Sequence, residues 1–398
     1  MSNLSHFVCT LCGQKFEPAR PQTVCPRDGG LLLARYNFEL IRELKPESLA
    51  ERSKTIWRYA ELLPAPASPV TLGEGFTPLL ASQSTPGLWI KNEGANPTGS
   101  FEDRGSSVAV SALRNSGVQQ VAVASAGDSA ASLSAYCAAA CLKSFVFMPK
   151  DAVLANRASC AAYGAELTLV DGAVEECEQA IREAIALQDC FGIADGREPY
   201  RLEGEKTLGF ELVEQLGWRI PDAIIVPTGS GSLVVAIWKA LQELEALAWI
   251  GPKRPRVVAV QAAGCAPIVR AFAEEEADCE PWANPQTIAS ELRIESPRAG
   301  SLALKILRES RGLAVAVTDR EMLVACSQLA GREGIFAAPE GGAALAAYTK
   351  LRATGLLRES DEVVIVNTRS GLKSPEAFGN SRKPLPKSHS LGGIIQPY

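Results

Sequence analysis

Five short apolar runs limit what this chain can fold into: Val121-Ala122-Val123-Ala124, Ser144-Phe145-Val146-Phe147-Met148, Ala223-Ile224-Ile225-Val226, Val257-Val258-Ala259-Val260 and Glu362-Val363-Val364-Ile365-Val366. Each is flanked by a longer amphipathic or alanine-rich segment with helical spacing. Repeated strand and helix in this order predicts an α/β fold built on parallel sheets with helices on both faces. In such sheets ligands sit at the carboxyl ends of the strands, where glycine-rich turns lead into helix N-termini.

A chain of 398 residues, 46% hydrophobic and 21% charged, is long enough for two packed domains. The net charge of -5, without a long basic run, gives no footprint for nucleic acid or an anionic membrane surface. A small-molecule ligand is the expected partner. Residues 1 to 20 lack the pattern of a signal peptide, and no apolar run approaches the ~20 residues that span a bilayer, so a cytoplasmic location is expected. Eleven cysteines, odd in number and mostly in apolar or helical contexts, suit reduced thiols. The two histidines, His6 and His389, lie near the termini, which excludes a Ser-His-Asp or Cys-His site in the body of the chain.

The first 35 residues read as a small separate element. Cys9-Thr10-Leu11-Cys12-Gly13 and Cys25-Pro26-Arg27-Asp28-Gly29 form two knuckles of a zinc-ribbon-like unit in which Asp28 takes the fourth ligand position. Two readings stand: Cys9, Cys12, Cys25 and Asp28 hold zinc, or the ribbon has lost its metal and persists through Phe7, Val8 and the leucines at 31–33. From 35 to 65 a charged stretch with Leu40, Ile41, Leu44, Leu49, Ile56, Leu62 and Leu63 reads as helical, ended by the prolines of 64–69. Residues 381–398 read as a tail.

The loop Thr228-Gly229-Ser230-Gly231-Ser232 follows one apolar run and opens a helix expected over 233–244. Backbone N–H groups and hydroxyls there can converge on a phosphate at the positive end of the helix dipole. Other strand exits carry Gly73-Glu74-Gly75-Phe76-Thr77-Pro78-Leu79, Lys91-Asn92-Glu93-Gly94, Asn96-Pro97-Thr98-Gly99-Ser100-Phe101-Glu102-Asp103-Arg104-Gly105, Ala124-Ser125-Ala126-Gly127-Asp128-Ser129, Pro199-Tyr200-Arg201-Leu202-Glu203-Gly204-Glu205-Lys206-Thr207, Pro339-Glu340-Gly341-Gly342 and Thr368-Arg369-Ser370-Gly371-Leu372-Lys373. In this order, over about residues 70 to 378, the series resembles the threonine synthase family of fold-type II enzymes that use pyridoxal 5'-phosphate (PLP).

The resemblance implies a larger α/β domain from 71–95 and 206–380, a smaller one from 96–205, an arm and linker over 36–70, and a homodimer. It also implies that Thr228, Gly229, Ser230, Gly231 and Ser232 cradle the cofactor phosphate and that Thr368 meets its pyridine nitrogen. Glu102 stands where the family has the lysine that forms the imine with PLP. A carboxylate cannot condense with an aldehyde. Asp128 stands where the family has an asparagine that donates to the cofactor's phenolic oxygen, whereas an ionised carboxylate only accepts. Two such anions ~3 Å apart in a partly buried site repel by several kcal/mol. Ser100 and Arg201 match substrate-binding positions, and Asp195 and Gly196 stand where the family binds a substrate phosphate with an Asn-Ser pair. Arg201 can grip an anion bidentately or pair with Glu203 or Glu205. Lys91, Lys206 and Lys373 are the lysines in matched motifs that would have to replace the missing amine.

The expected function is that of a threonine-synthase-like protein with a cleft for a phosphate-bearing or amino-acid ligand and no imine chemistry, in a ligand-binding or regulatory role. The alternative is a lyase holding PLP noncovalently, with Glu102 or Asp103 as general base. A third reading has the cleft perform acid-base chemistry on another anionic metabolite without PLP.

Overall fold

A computed structural model describes residues 2–379 apart from 65, 67, 173, 189 and 194–197. The expected tail therefore lies outside the described residues, as do Asp195 and Gly196. Thirteen strands form three sheets among the described residues. At the start, β1 (Leu4–Cys9) pairs antiparallel with β2 (Lys15–Phe16) on one side and β3 (Leu32–Tyr36) on the other. The largest sheet has six strands in the order β12-β11-β10-β13-β5-β4, namely Leu313–Val317, Arg256–Ala262, Ala223–Pro227, Val363–Asn367, Leu88–Asn92 and Leu79–Ala81. All neighbours in it are parallel except the edge pair of β4 and β5. The third sheet is wholly parallel, with order β8-β7-β6-β9: Glu166–Val170, Lys143–Pro149, Gln120–Ala124 and Phe191–Ile193.

The middle residues of β10, β11 and β13 in the large sheet are apolar because both faces of these strands are covered. Ile224, Val226, Val257, Ala259, Val364 and Val366 point into a core with the helices Thr207–Gln215, Ser232–Ala246 and Gly300–Glu309. The intervening residues Ala223, Ile225, Val258, Val260, Val363 and Ile365 enter the opposite core with the helices Asp319–Glu333 and Pro339–Ala353. A period of two on a doubly buried sheet leaves no polar position. The smaller sheet repeats the scheme: Val121, Val123, Val146 and Met148 face the helices Glu102–Asn115 and Asp128–Ala140, while Ala122, Ala124 and Phe145 face Val174–Gln188. The chain is thus an α/β protein of the expected kind. Strand β5 joins the large sheet although it precedes the small one in sequence, so the chain crosses between the sheets at the start of the Glu102–Asn115 helix and again near Tyr200.

One expectation fails. The stretch from 35 to 65 forms three separate 3-10 segments, Phe38–Ile41, Pro46–Leu49 and Ile56–Leu62, in place of an α-helix. Pro46 breaks any continuous ladder by removing a backbone donor. Its apolar residues also lack a single helical face: Leu49, Ile56 and Leu62 are buried, whereas Leu40 is 70% exposed. Arg58 ties the segments together, donating to the Leu49 carbonyl and to Glu214, both at 2.6 Å.

Candidate active site

The carboxyl ends of β10, β13 and β6 converge on a cleft of about 1270 Å3, lined by Ser125, Gly127, Thr228 to Ser232, Glu291, Glu340, Thr368, Glu102 and Arg201 among others. Five of the residues that sequence places at a phosphate cradle lie together on one wall. Thr228 ends the buried strand and its hydroxyl donates to the Val226 carbonyl at 2.7 Å. Gly231 adopts φ +93°, and a Cβ there would meet the Ala299 carbonyl at 3.0 Å, so glycine is required both for the backbone and for the approach of the next helix. That turn aims the start of Ser232–Ala246 at the cleft, where Leu233 and Val234 are lining residues. The first N–H groups of a helix have no acceptor within it and carry its positive end. Hydroxyls of Ser230 and Ser232 stand beside them, so this stretch offers hydrogen-bond donors to the cleft with no formal charge of its own.

The opposite wall is organised by an ion pair. Glu102, in the first turn of Glu102–Asn115, accepts a 2.7 Å hydrogen bond from Arg201 Nη2, and both side chains are nearly out of solvent. Close helix contact makes the pair possible. One turn beyond Glu102, Gly105 lies against the Arg201 backbone; one turn beyond Arg201, a Cβ on Gly204 would fall 2.0 Å from the Arg104 carbonyl. Two glycines at matching positions let the helix Tyr200–Glu205 lie flush on Glu102–Asn115. Arg201 therefore pairs with Glu102 on the neighbouring helix, whereas Glu203, one of the local partners read from sequence, binds Tyr36, Lys206 and Lys239.

Asp128 is also neutralised. Its carboxylate lies 2.8 Å from Arg369 Nε and 3.2 Å from Lys373 Nζ. Glu291 Oε1 accepts from the Asp128 N–H at 3.2 Å and lies 3.5 Å from Arg369, and Glu340 lies 3.4 Å from the same guanidinium. Three carboxylates thus share two cations. Burial, then the neighbouring Asp128, pushes the Glu291 carboxyl up to about 7. If Glu291 is protonated, charges in this group balance. The three-against-two arrangement also holds Arg369 charged well beyond the usual arginine range, despite its burial.

Other residues read from sequence are placed as follows. Asp103 is buried and faces its own turn, accepting from the Thr98 N–H at 2.7 Å, the Thr98 hydroxyl at 2.6 Å and Ser132 at 2.6 Å. Burial raises its carboxyl to about 6 against the pull of these donors. Ser100 is buried where the chain bridges to Arg369, and Thr368 lines the cleft. Lys91 is locked between the Thr77 carbonyl, Glu211 and Gln215. Lys206 is held by Glu203 and Glu243. Lys373, besides Asp128, donates to the Thr98 carbonyl at 3.2 Å. Sequence reasoning missed Glu291: it lies in the short 3-10 turn Ser290–Leu292, with no glycine or strand signal. Arg369 and Glu340 stand in the sequence only as parts of motifs. An arginine directly after a strand-end threonine was the available signal for a buried countercharge to Asp128.

The cysteine knuckles converge too. Cys9, Cys12, Cys25 and Asp28 place one ligand atom each within 4.8 Å of one another. No helix among the described residues is long and apolar enough to cross a membrane.

Known proteins share this fold. Residues 70–369 match the family described as pyridoxal-phosphate dependent enzyme. Threonine synthase from Methanocaldococcus jannaschii is 37% identical over 379 residues, covering 93% of both chains. Its counterpart from Methanosarcina acetivorans is 35% identical over 378 residues, again with 93% of each covered. Among solved structures, serine racemase from Dictyostelium discoideum superposes with a TM-score of 0.63 at 25% identity, over 74% of this chain and 92% of that one. Maize serine racemase gives 0.64 at 21% identity, over 74% and 88%, a likeness of fold alone. The chain therefore belongs to the pyridoxal-phosphate-dependent enzyme family and is a homologue of threonine synthases.

Proposed function

We propose that this threonine synthase homologue binds a phosphate-bearing small molecule in its cleft without forming an imine to it, and serves as a ligand-binding or regulatory protein. One observation carries the reading: the side chain at 102, the position we match to the family's imine lysine, is a carboxylate held 2.7 Å from Arg201. The fit to PLP is split. Thr228, Ser230, Ser232 and the helix start behind them suit its phosphate, but nothing at 102 can capture its aldehyde. Lys91 and Lys206 are engaged in buried pairs away from the cleft, and Lys373 is spent on Asp128.

The pair also bears on substrate recognition. An arginine that would grip an anionic substrate is occupied by the chain's own carboxylate, so an incoming anion has to compete with Glu102 for it. The same contact weakens the lyase alternative, in which Glu102 acts as general base while one oxygen is engaged by Arg201. Loss of turnover in Glu102→Gln, if any turnover is found, would support that alternative.

The reading is tested by titrating the purified full-length chain with inorganic phosphate and with PLP, followed by phosphorus NMR. Saturable binding of both, weakened by Gly231→Val, is expected. Binding of neither would overturn the proposal.

A further inference from the structure

From the geometry of the knuckles we infer a divalent zinc site formed by Cys9, Cys12, Cys25 and Asp28, with the metal bracing the wall of the cleft. Three observations support it. A tetrahedral zinc with sulfur ligands at ~2.3 Å and a carboxylate oxygen at ~2.0 Å requires ~3.8 Å between sulfurs and ~3.5 Å between sulfur and oxygen. Cys12 Sγ and Cys25 Sγ are 3.7 Å apart, and Cys9 Sγ lies 3.3 and 3.6 Å from the two oxygens of Asp28. The spacing is that of a ligand shell, and 3.7 Å is far too long for a disulfide.

The backbone is shaped for it as well. Gly13 and Gly29, each directly after the second ligand of a knuckle, have φ of +71° and +72°, and their N–H groups bond back to the Cys9 and Cys25 carbonyls. The Leu11 N–H points at Cys9 Sγ at 3.4 Å, a donor that stabilises a thiolate. Cys9 and Cys25 are buried while Cys12 and Asp28 are exposed, which gives an ion a protected interior side and an entry side. With three sulfurs and one hard oxygen, the donor set favours zinc over magnesium or calcium.

The site connects to the cleft in two ways. Thr10, Leu11, Gly29, Gly30 and Leu31 line it directly. The ribbon also backs the helix that carries Arg201: Phe7 meets Tyr200 edge-on at 5.7 Å, the Gln22 N–H donates to the Tyr200 hydroxyl at 3.0 Å, and the Tyr36 hydroxyl donates to Glu203 at 2.7 Å. Gln22 lies inside the loop that the metal closes. Metal loss should therefore free that loop and loosen Tyr200–Glu205.

The test uses the full chain purified under reducing conditions, first stripped with a chelator, then titrated with Zn(II) and with Co(II) alone. We expect one zinc per chain, and a cobalt form with thiolate-to-metal charge transfer and the intense visible bands of a tetrahedral site. Cys12→Ser should lower zinc affinity by at least about tenfold, and Asp28→Cys should raise it by about tenfold, since a soft donor replaces a hard one. Because position 28 is exposed, Asp28→Cys should fold even if Cys12→Ser does not. Absence of a cobalt spectrum, or unchanged zinc affinity in Asp28→Cys, would overturn the site. Amide exchange over residues 199–206 should quicken in the stripped protein; unchanged exchange with zinc otherwise bound would overturn the bracing role. Phosphate binding does not enter these readouts, so they stand or fall apart from the proposed function.

Discussion

The two walls of the cleft solve opposite electrostatic problems. On the wall of Thr228 to Ser232, neutral hydroxyls and the first turn of a helix present donors outward, and none of these five residues carries a side-chain charge. Elsewhere in the lining Glu102, Glu291 and Glu340 are carboxylates, and together with the buried Asp128 they pair with Arg201, Arg369 and Lys373. The difference teaches that one cleft can pair uncharged donors on one side with carboxylates already engaged by cations of the same chain on the other.

Breaking the closed wall should have the largest effect. Arg201→Ala takes from the buried Glu102 the guanidinium held 2.7 Å away, a change that costs about 3–5 kcal/mol in comparable buried pairs. Urea denaturation should show that loss, and Arg201→Leu combined with Glu102→Leu should recover most of it. A double variant as unstable as the single one would mean that the pair itself, and not the charge left behind, supplies the stability.

On the open wall the expected effect is on ligand affinity. Ser230 lines the cleft and is partly exposed, so Ser230→Ala should leave folding nearly unchanged while removing one hydrogen bond to a charged phosphate, about 1.5–3 kcal/mol, or roughly 10- to 100-fold in dissociation constant. Calorimetric titration with phosphate measures it. Equal affinity in the variant would remove Ser230 from the cradle.

A subtler effect is on pH dependence. Glu291 and Asp103 have carboxyls raised to about 7 and about 6 in the folded chain, above their ordinary values near 4.5 and 3.8. Between those limits the native state holds more protons than the unfolded state, so these two groups make stability fall as pH rises from about 4 to 7. Their contribution is fully favourable only below the unfolded values. Glu291→Gln should remove its share of the slope, and the comparison of melting temperatures at pH 5 and pH 8 should show a smaller difference than in the parent. An unchanged difference would relocate the titration to other groups.

Much of this was legible in the chain. Apolar runs such as Ile224 to Val226 announced strands because a doubly covered sheet leaves no polar face, and the glycines at 229 and 231 announced a turn because nothing else fits there. Glu102 and Asp128 stood out as carboxylates at unusual positions. Their partners did not, since Arg201 lies 99 residues from Glu102 and Arg369 is 241 residues from Asp128, and no local pattern records which charges a fold will bring together. The glycines that allow the first pair, Gly105 and Gly204, were visible only as parts of motifs. Over 35–65 the leucine content announces helical turns but not their continuity: burial of Leu49, Ile56 and Leu62 is set by the separate 3-10 segments Pro46–Leu49 and Ile56–Leu62.

The central claim, a cleft that takes the phosphate but leaves the aldehyde free, is tested most directly by incubating the chain with PLP, reducing with borohydride and weighing the intact protein. The account predicts an unchanged mass and no imine absorbance at PLP concentrations that saturate the phosphate site. A reduced adduct mapped by peptide analysis to a lysine of the chain, such as Lys150 in the cleft lining or the buried Lys373, would contradict it.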